Sequence, residues 1–147
     1  MDKNLEGLLK VQELYGKDFA QRLEKLYRNE TAHFKSGNFA ITHAPGMEAF
    51  GNDTPYGWIQ LTEYWKINPQ YAPTHLHSQI ENTSALATAS KKPKRFLVFP
   101  SVEASMMSVS YLIKLRGSNF GTWFSKNPKA IADYNLILNS IKPRLIL

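Results

Sequence analysis

Glu30 is the residue whose position in the chain best suits acid–base chemistry. On a helix, Glu30 shares one stripe with three apolar residues, Phe19, Leu23 and Leu26. Burial disfavours the charged form of a carboxylic acid and raises its pKa. The spacing therefore predicts a carboxyl group that keeps its proton near neutral pH, as a general acid must. In the alternative interpretation the helix ends at about Glu30, and the side chain turns to solvent or caps a neighbouring loop.

Other common chemistries lack the residues that they need. His75 and His77 would share a face on a strand, but no third ligand follows at a recognisable spacing and no H-E-x-x-H motif occurs. The absence of cysteine excludes disulfides, thiolate nucleophiles and thiolate metal sites. No nucleophilic triad is indicated, and no glycine-rich phosphate loop follows a strand. We therefore expect neither a metal nor another cofactor.

The charge balance favours an anionic partner without choosing one. Lysine and arginine number 18 against 12 acidic residues, which gives a net charge of +6. Nucleic acid, acidic wall polymers and a membrane surface all fit this excess. The basic run KKPKR at 91–95 is interpreted as a solvated turn rather than a nucleic-acid patch, so no nucleic-acid partner is expected.

Length and composition predict one soluble globular domain spanning residues 1–147. No apolar run is long enough to cross a bilayer, so no membrane insertion is expected. The N-terminus lacks the basic start, apolar centre and cleavage site of a secretory signal. We expect synthesis in the cytoplasm.

The first half of the chain reads as two helices, an irregular segment and a β element. The helices are predicted at 5–14, ending at Tyr15-Gly16, and at about 17–31. Glycine, proline and asparagine mark 33–53 as irregular. The segment YGWIQLTEYW at 56–65 is rich in β-formers, so a strand or hairpin is favoured over a short helix.

The second half reads as mainly helical. Residues 75–90 are predicted to form a loop or a weak helix, and 95–99 an extended segment. Ser101 is the expected N-cap of a helix that Gly117 ends, with an apolar stripe of Val102, Met106, Val109 and Ile113. Asn127 and Pro128 are predicted to begin a last helix, which Pro143 stops.

Four segments in order resemble the lysozyme-like superfamily of peptidoglycan glycosidases, and its N-acetylglucosaminidase branch in particular. ETAHFKS at 30–36 keeps the Glu and the Ser of that branch's E-S-G-x-G-x-S motif. PYGWIQL at 55–61 is similar to the N-L-F-G-I segment of glucosaminidases and to the G-L-M-Q segment of lytic transglycosylases. FLVFPSVEASM at 96–106 resembles the family's aromatic strand before a Ser-capped helix. WFSKNP at 123–128 resembles the G-Y-A-T-D-P motif.

The resemblance implies a fold and marks two departures from the family pattern. The implied fold class is α+β, mainly α, with a small β-hairpin region between helices. Phe124 stands where the motif has tyrosine, so any role of that hydroxyl in positioning substrate is missing. The loop at 39–54 is an elaboration, because the interval between Glu30 and the YGW element is longer than in relatives.

The resemblance also implies a reaction, the cleavage of a glycosidic bond with Glu30 as general acid. A second carboxylate would act as base or nucleophile. We favour Glu63, within the YGWIQLTEYW element, over the other candidates, Glu48, Asp53 and Glu81. Transglycosylase-like relatives work with a single Glu, so a second acid is not obligatory.

Five further residues are expected to bind or shape a cleft for N-acetyl sugars: Ser36, Tyr56, Trp58, Gln60 and Phe124. Aromatic rings stack on sugars and amides hydrogen-bond to them. Trp58 has an equally good interpretation as a core residue. Ser36 is expected chiefly to tie the loop to the end of the helix through its hydroxyl.

The expected function is therefore a peptidoglycan hydrolase of the endo-N-acetylglucosaminidase or muramidase type, acting on wall glycan strands. A phage lysin or a virion-carried enzyme, with other virion or wall-associated proteins as partners, is a reasonable setting. The alternative is a weakly active or inactive lysozyme-like module that binds glycan or serves a structural role in a virion or secretion assembly. A nucleic-acid-binding protein is a third hypothesis, which steeply salt-dependent DNA binding would support.

Overall fold

The computed structural model describes residues 2–47, 58–79, 94–115, 117–118 and 120. This part of the chain is mainly helical and carries a small two-stranded antiparallel sheet, which confirms the expected mainly α, α+β class. The helices are α1 (Lys3–Tyr15), α2 (Lys17–Glu30), α3 (Gly37–Thr42), α4 (Trp58–Ile67) and α5 (Val102–Leu115). A 3-10 turn (Pro69–Tyr71) precedes the strands β1 (His75–Gln79) and β2 (Lys94–Val98).

The two N-terminal helices meet at a single glycine. The Asp2 carboxylate caps α1 by accepting hydrogen bonds from the backbone N–H groups of Asn4 and Leu5, at 2.8 and 3.0 Å. Gly16 ends α1 and precedes α2 with φ = 92°, a backbone conformation that L side chains rarely adopt. This junction fixes the direction in which α2 runs, and so the position of Glu30 at its far end.

The core lies where α1, α2 and α5 pack together. The three apolar residues of the predicted α2 stripe are buried, and so is the whole predicted stripe of α5: Val102, Met106, Val109 and Ile113. A Cβ at Gly7 would lie 2.6 Å from the sulfur of Met106, so α1 and α5 approach closely there. Both helix predictions were confirmed because apolar residues recur at the helical period.

The ends of α5 also follow the sequence signals. The Ser101 hydroxyl accepts a hydrogen bond from the Ala104 N–H at 3.0 Å, as an N-cap does. At the other end, the Gly117 N–H donates to the Lys114 carbonyl at 3.1 Å, and α5 stops at Leu115.

The small sheet is joined to the segment that follows α3. In the antiparallel pair, His75 lies opposite Val98 and His77 opposite Phe96, so both histidines share one face, as expected for a strand. On the other edge of β2, the Leu97 N–H donates to the Met47 carbonyl at 2.8 Å. Residues 42–47 are thereby held beside the sheet.

Three secondary-structure predictions were wrong. Residues 58–67 form helix α4 rather than a strand; the short-helix alternative was correct there. Residues 37–42, predicted as irregular, form α3, and residues 75–79, predicted as a loop or weak helix, form β1. The predicted last helix at 128–142 lies outside the described residues, as do positions 48–54 of the predicted loop at 39–54 and positions 91–93 of the basic run, whose last two residues begin β2.

Tertiary contacts explain why residues 58–67 form a helix although they are rich in β-forming residues. Leu61 is fully buried, and the Trp65 indole N–H donates to the Ser108 hydroxyl of α5 at 2.8 Å. Tyr64 stacks on Tyr111 of α5 with ring centroids 4.3 Å apart. These residues lie one helical turn apart and face one neighbour, so packing against α5 favours the helix.

None of the helices within the described residues has both the length and the apolar character needed to cross a membrane.

Candidate functional site

Glu30 is the last residue of α2, and its side chain is half-buried. Burial raises the pKa of the Glu30 carboxyl above its ordinary value, and a hydrogen bond from the Asn29 side-chain amide partly opposes this effect. The Asn29 Nδ2 donates to Glu30 Oε1 at 3.2 Å. The position combines the two properties that a general acid needs, access to solvent and a stabilised proton.

Residues 32–34, which follow the cap residue Thr31 at the end of α2, form a left-handed turn without glycine. Ala32, His33 and Phe34 have φ values of 50°, 58° and 67°. A left-handed conformation costs an L residue about 1–2 kcal/mol. Backbone outliers of this kind persist only where the surroundings hold them, and they cluster at functional sites. The turn therefore marks the end of α2 as a candidate site independently of the carboxyl group.

Thr31 stabilises this turn through hydrogen bonds of its side chain and its carbonyl. Its buried hydroxyl donates to the Tyr27 carbonyl at 2.5 Å and accepts from the Phe34 N–H at 2.8 Å. Its carbonyl accepts hydrogen bonds from the N–H groups of Lys35 and Ser36, both at 2.9 Å. The hydroxyl and the carbonyl of Thr31 together therefore bind the backbone N–H groups of residues 34–36.

Replacing Thr31 with valine should destabilise the protein by about 1–3 kcal/mol, because the shape is kept while the partly buried Phe34 N–H loses its acceptor. Urea unfolding of the variant measures this loss. Thr31→Ser, which retains the hydroxyl, is the matched control and should lose clearly less. An equal loss in both variants would show that the methyl group, and not the hydroxyl, supports the turn.

Replacing Ala32 with glycine should stabilise the protein by up to about 1 kcal/mol. Ala32 is exposed and left-handed, so glycine removes a steric cost without losing packing. The greater freedom of glycine in the unfolded chain offsets part of this gain. Thermal unfolding checks the prediction, with Ala40→Gly on the exposed face of α3 as a control that should destabilise. A lower melting temperature for Ala32→Gly would contradict the strain that we assign to the turn.

Phe34, the last left-handed residue of the turn, contacts side chains of α2 and α3. Its ring lies near those of Tyr27 and Phe39, with centroid distances of 6.2 and 5.6 Å. The Arg28 guanidinium lies 5.2 Å from the centroid of the same ring. Arg28 in turn donates to the carboxylate of Glu24 at 2.9 Å, and Glu24 is fully buried. The turn is thus connected to charged and aromatic groups of α2 and α3.

A chain of hydrogen bonds connects α2 to the segment after α3. The Tyr27 hydroxyl lies 2.8 Å from the Ser105 hydroxyl of α5, which donates to the His43 carbonyl at 2.5 Å. The His43 Nδ1 lies 2.8 Å from the Phe99 carbonyl; because a carbonyl only accepts, Nδ1 carries the proton. These contacts fix residues 42–47 relative to the end of α2.

The structure gives two of the predicted substrate-binding residues definite surroundings. Ser36 is the N-cap of α3, where its hydroxyl accepts from the Phe39 N–H at 3.1 Å. The expected tie to the end of α2 is made by the backbone instead, because the Ser36 N–H donates to the Thr31 carbonyl while the hydroxyl caps α3. Gln60 is exposed on the first turn of α4.

The predicted second carboxylate lies on a helix and not on a hairpin. Glu63 is exposed on α4, and its carboxylate accepts from the Lys66 ammonium at 2.9 Å. Trp58 begins α4, but its side chain lies outside the described residues. Also outside are Tyr56, Phe124 and the other carboxylate candidates, Glu48, Asp53 and Glu81. Their roles stay predictions.

The motif-based interpretation missed three features of the site. Asn29 lies beside Glu30 in sequence, but no pattern indicated that its amide would contact the carboxylate. The Glu24–Arg28 pair has the i, i+4 spacing of an ordinary surface ion pair. The left-handed turn carries none of the glycine or asparagine residues that normally announce one.

A metal centre finds no support in the residues that the structure describes, where no group of three or more histidine or acidic side chains could hold an ion. The Nδ1 of His75 lies 2.8 Å from the Thr74 hydroxyl.

The chain was compared with protein-family models, with curated proteins and with solved structures, and none of the three comparisons gave a match.

Proposed function

We propose that the protein is a lysozyme-like peptidoglycan hydrolase that cleaves β-1,4 glycosidic bonds of the wall glycan, with Glu30 as general acid. The observation that carries the proposal is the half-buried carboxyl at the end of α2, whose pKa burial raises, followed directly by a strained turn. The ETAHFKS sequence, which resembles the acid motif of this superfamily, covers the same residues.

In the proposed reaction, protonated Glu30 donates its proton to the glycosidic oxygen as the bond to the sugar breaks. The sugar then passes through an oxocarbenium-like state, which water or a group of the sugar itself captures. The Glu30 carboxylate recovers a proton from the attacking group. Because burial raises the pKa of the Glu30 carboxyl, it favours the protonated form that the first step needs.

The second catalytic carboxylate remains part of the proposal. Glu63 is the favoured residue, and Glu48, Asp53 and Glu81 are the alternatives. Glu63→Gln separates the mechanisms. A rate loss of 100-fold or more would assign Glu63 the second role, as general base or nucleophile. A loss below tenfold would favour another carboxylate or the route that uses Glu30 alone.

The proposed cleft residues would recognise N-acetyl sugars through complementary chemistry. Gln60 offers an exposed amide on α4, and the rings of Tyr56, Trp58 and Phe124 offer stacking surfaces. Ser36 acts here by holding the loop. The proposed setting is a lysin or virion-carried enzyme that acts on the cell wall, and the excess of basic residues suits an acidic wall polymer.

The test is digestion of purified peptidoglycan by the wild-type protein and by Glu30→Gln, with the products identified by mass spectrometry. We expect soluble fragments from the wild type alone. Their ends distinguish a glucosaminidase, a muramidase and a transglycosylase. Glu13→Gln, on the exposed face of α1, is the matched control and should release the same fragments as the wild type.

Two outcomes would overturn the hydrolase proposal. Unchanged product release by Glu30→Gln would remove Glu30 from the mechanism. If neither protein releases products but both bind the wall polymer, the alternative of a structural or glycan-binding module becomes the better interpretation.

A further inference from the structure

The ion pair between Glu24 and Arg28 is more deeply buried than an ordinary helix-surface pair. The Glu24 side chain is 0% exposed and the Arg28 side chain 19% exposed, with 2.9 Å between Oε2 and Nε. Burying a charged pair costs desolvation energy that the attraction between the charges often only balances. A role in net stability is therefore a weak explanation for this pair.

The surroundings of Arg28 indicate another role. Its guanidinium lies 5.2 Å from the centroid of the Phe34 ring, and its carbonyl accepts a hydrogen bond from the His33 N–H at 2.8 Å. Both contacts go to residues of the left-handed turn. Arg28 therefore holds the turn with its side chain and its backbone, two positions before Glu30 in the chain.

Glu24 fixes the guanidinium in this place. An arginine side chain has several rotatable bonds, and a cation–π contact at a partly exposed site is too weak to fix it alone. The charge-assisted hydrogen bond to a fully buried carboxylate restricts the side chain to the orientation that reaches Phe34.

We propose that Glu24 and Arg28 are positioning residues for Glu30, which act by locking Phe34 into the left-handed turn and so keep the end of α2 in its half-buried arrangement. The catalytic part of this inference rests on the proposed function. The positioning part does not, because it concerns the surroundings of the Glu30 carboxyl alone.

The direction in which the Glu30 pKa changes when Arg28 is removed distinguishes a positioning role from a simple electrostatic one. Without the guanidinium, the turn relaxes towards ordinary backbone conformations, water reaches Glu30, and the pKa of its carboxyl falls towards the ordinary value. If Arg28 acted only as a nearby positive charge, its removal would raise that pKa instead. The two explanations predict opposite directions.

The experiment follows the titration of the Glu30 carboxyl carbon by NMR in the full chain. The test variants are Arg28→Met and the double variant Glu24→Leu/Arg28→Met, which removes both charges of the ion pair. Arg22→Met is the matched control, because Arg22 forms an exposed i, i+4 pair with Asp18 on the same helix, at 3.3 Å. We expect a lower Glu30 pKa in both test variants and no change in the control.

A raised or unchanged Glu30 pKa in the folded double variant would overturn the proposal. If the protein cleaves peptidoglycan, we further expect both test variants to lower kcat at least tenfold while KM changes less than twofold, since misplacing a catalytic group acts on the transition state. Arg28→Lys should recover part of the rate. Failure of the wild type to cleave would refute the proposed function, whereas the titration would still decide the positioning role.

Discussion

Replacement of Glu30 by glutamine is expected to lower kcat for glycan cleavage by about 10²–10⁴-fold, the usual contribution of general acid–base catalysis. Glutamine keeps the size and the polarity of the side chain but has no proton to give to the leaving oxygen. The substrate contacts of the cleft stay in place, so KM should change little. Steady-state release of reducing ends from peptidoglycan measures both quantities.

The same replacement is expected to raise the free energy of unfolding at neutral pH. Burial raises the pKa of Glu30 in the folded protein above its ordinary value of 4.5. Between these two values the folded state binds more protons than the unfolded state, so stability falls as the pH rises through this window. Glutamine does not ionise, and the variant therefore avoids this loss. The difference from the wild type should grow with pH above 4.5 in urea unfolding experiments.

These two effects together distinguish a catalytic acid from a structural one. A group retained for catalysis at the expense of stability loses activity and gains stability when it is replaced. If Glu30 instead supports the helix end, Glu30→Gln should lose stability together with activity. Glu13→Gln should change neither quantity, because Glu13 is exposed on α1.

The raised pKa also predicts the shape of the pH–rate profile. The rate should fall on the alkaline side as Glu30 loses its proton, and the midpoint of that fall should lie above the ordinary value for glutamic acid. A midpoint at or below that value would contradict the general-acid role.

The position of Glu30 on α2 and its half-buried state could be predicted from the sequence, because both depend on local periodicity. The apolar stripe of α2 repeats at the helical period, and the same period identified α5 with its Ser101 cap. Such signals need only neighbours in the sequence. The half-buried state of Glu30 follows from its register with that stripe.

The rest of the site depends on contacts between distant parts of the chain. Phe34 takes a left-handed conformation although it is an aromatic residue, because Tyr27, Phe39 and Arg28 surround its ring. No local propensity indicates this state. Helix α4 was mistaken for a strand for the same reason, since its tryptophan and tyrosine side chains pack on α5. The expected hairpin position of Glu63 was lost with that strand.

The burial of Glu24 was equally hidden from the sequence. A glutamate and an arginine at i, i+4 usually form a weak surface pair, as Asp18 and Arg22 do on the same helix. The two pairs share the spacing and the order of the charges, but the Asp18–Arg22 pair is exposed whereas the Glu24–Arg28 pair is buried.

Removing Arg28 alone should destabilise the protein by about 3–5 kcal/mol, because Arg28→Met removes the guanidinium that pairs with the fully buried Glu24 carboxylate. The control Arg22→Met should cost only about 0.2–1 kcal/mol, since its pair is exposed. Urea unfolding at neutral pH measures both losses.

The double variant Glu24→Leu/Arg28→Met decides whether the pair itself stabilises the fold. Replacing both partners of a buried pair by apolar residues is often neutral or stabilising, so we expect the double variant to recover most of the stability that Arg28→Met loses. If the double variant recovers stability but shows a lower Glu30 pKa, the pair positions Glu30 without stabilising the fold. A double variant as unstable as Arg28→Met would instead show that the ion pair stabilises the fold directly. The burial of two charges beside the left-handed turn would then be explained by stability, without a positioning role.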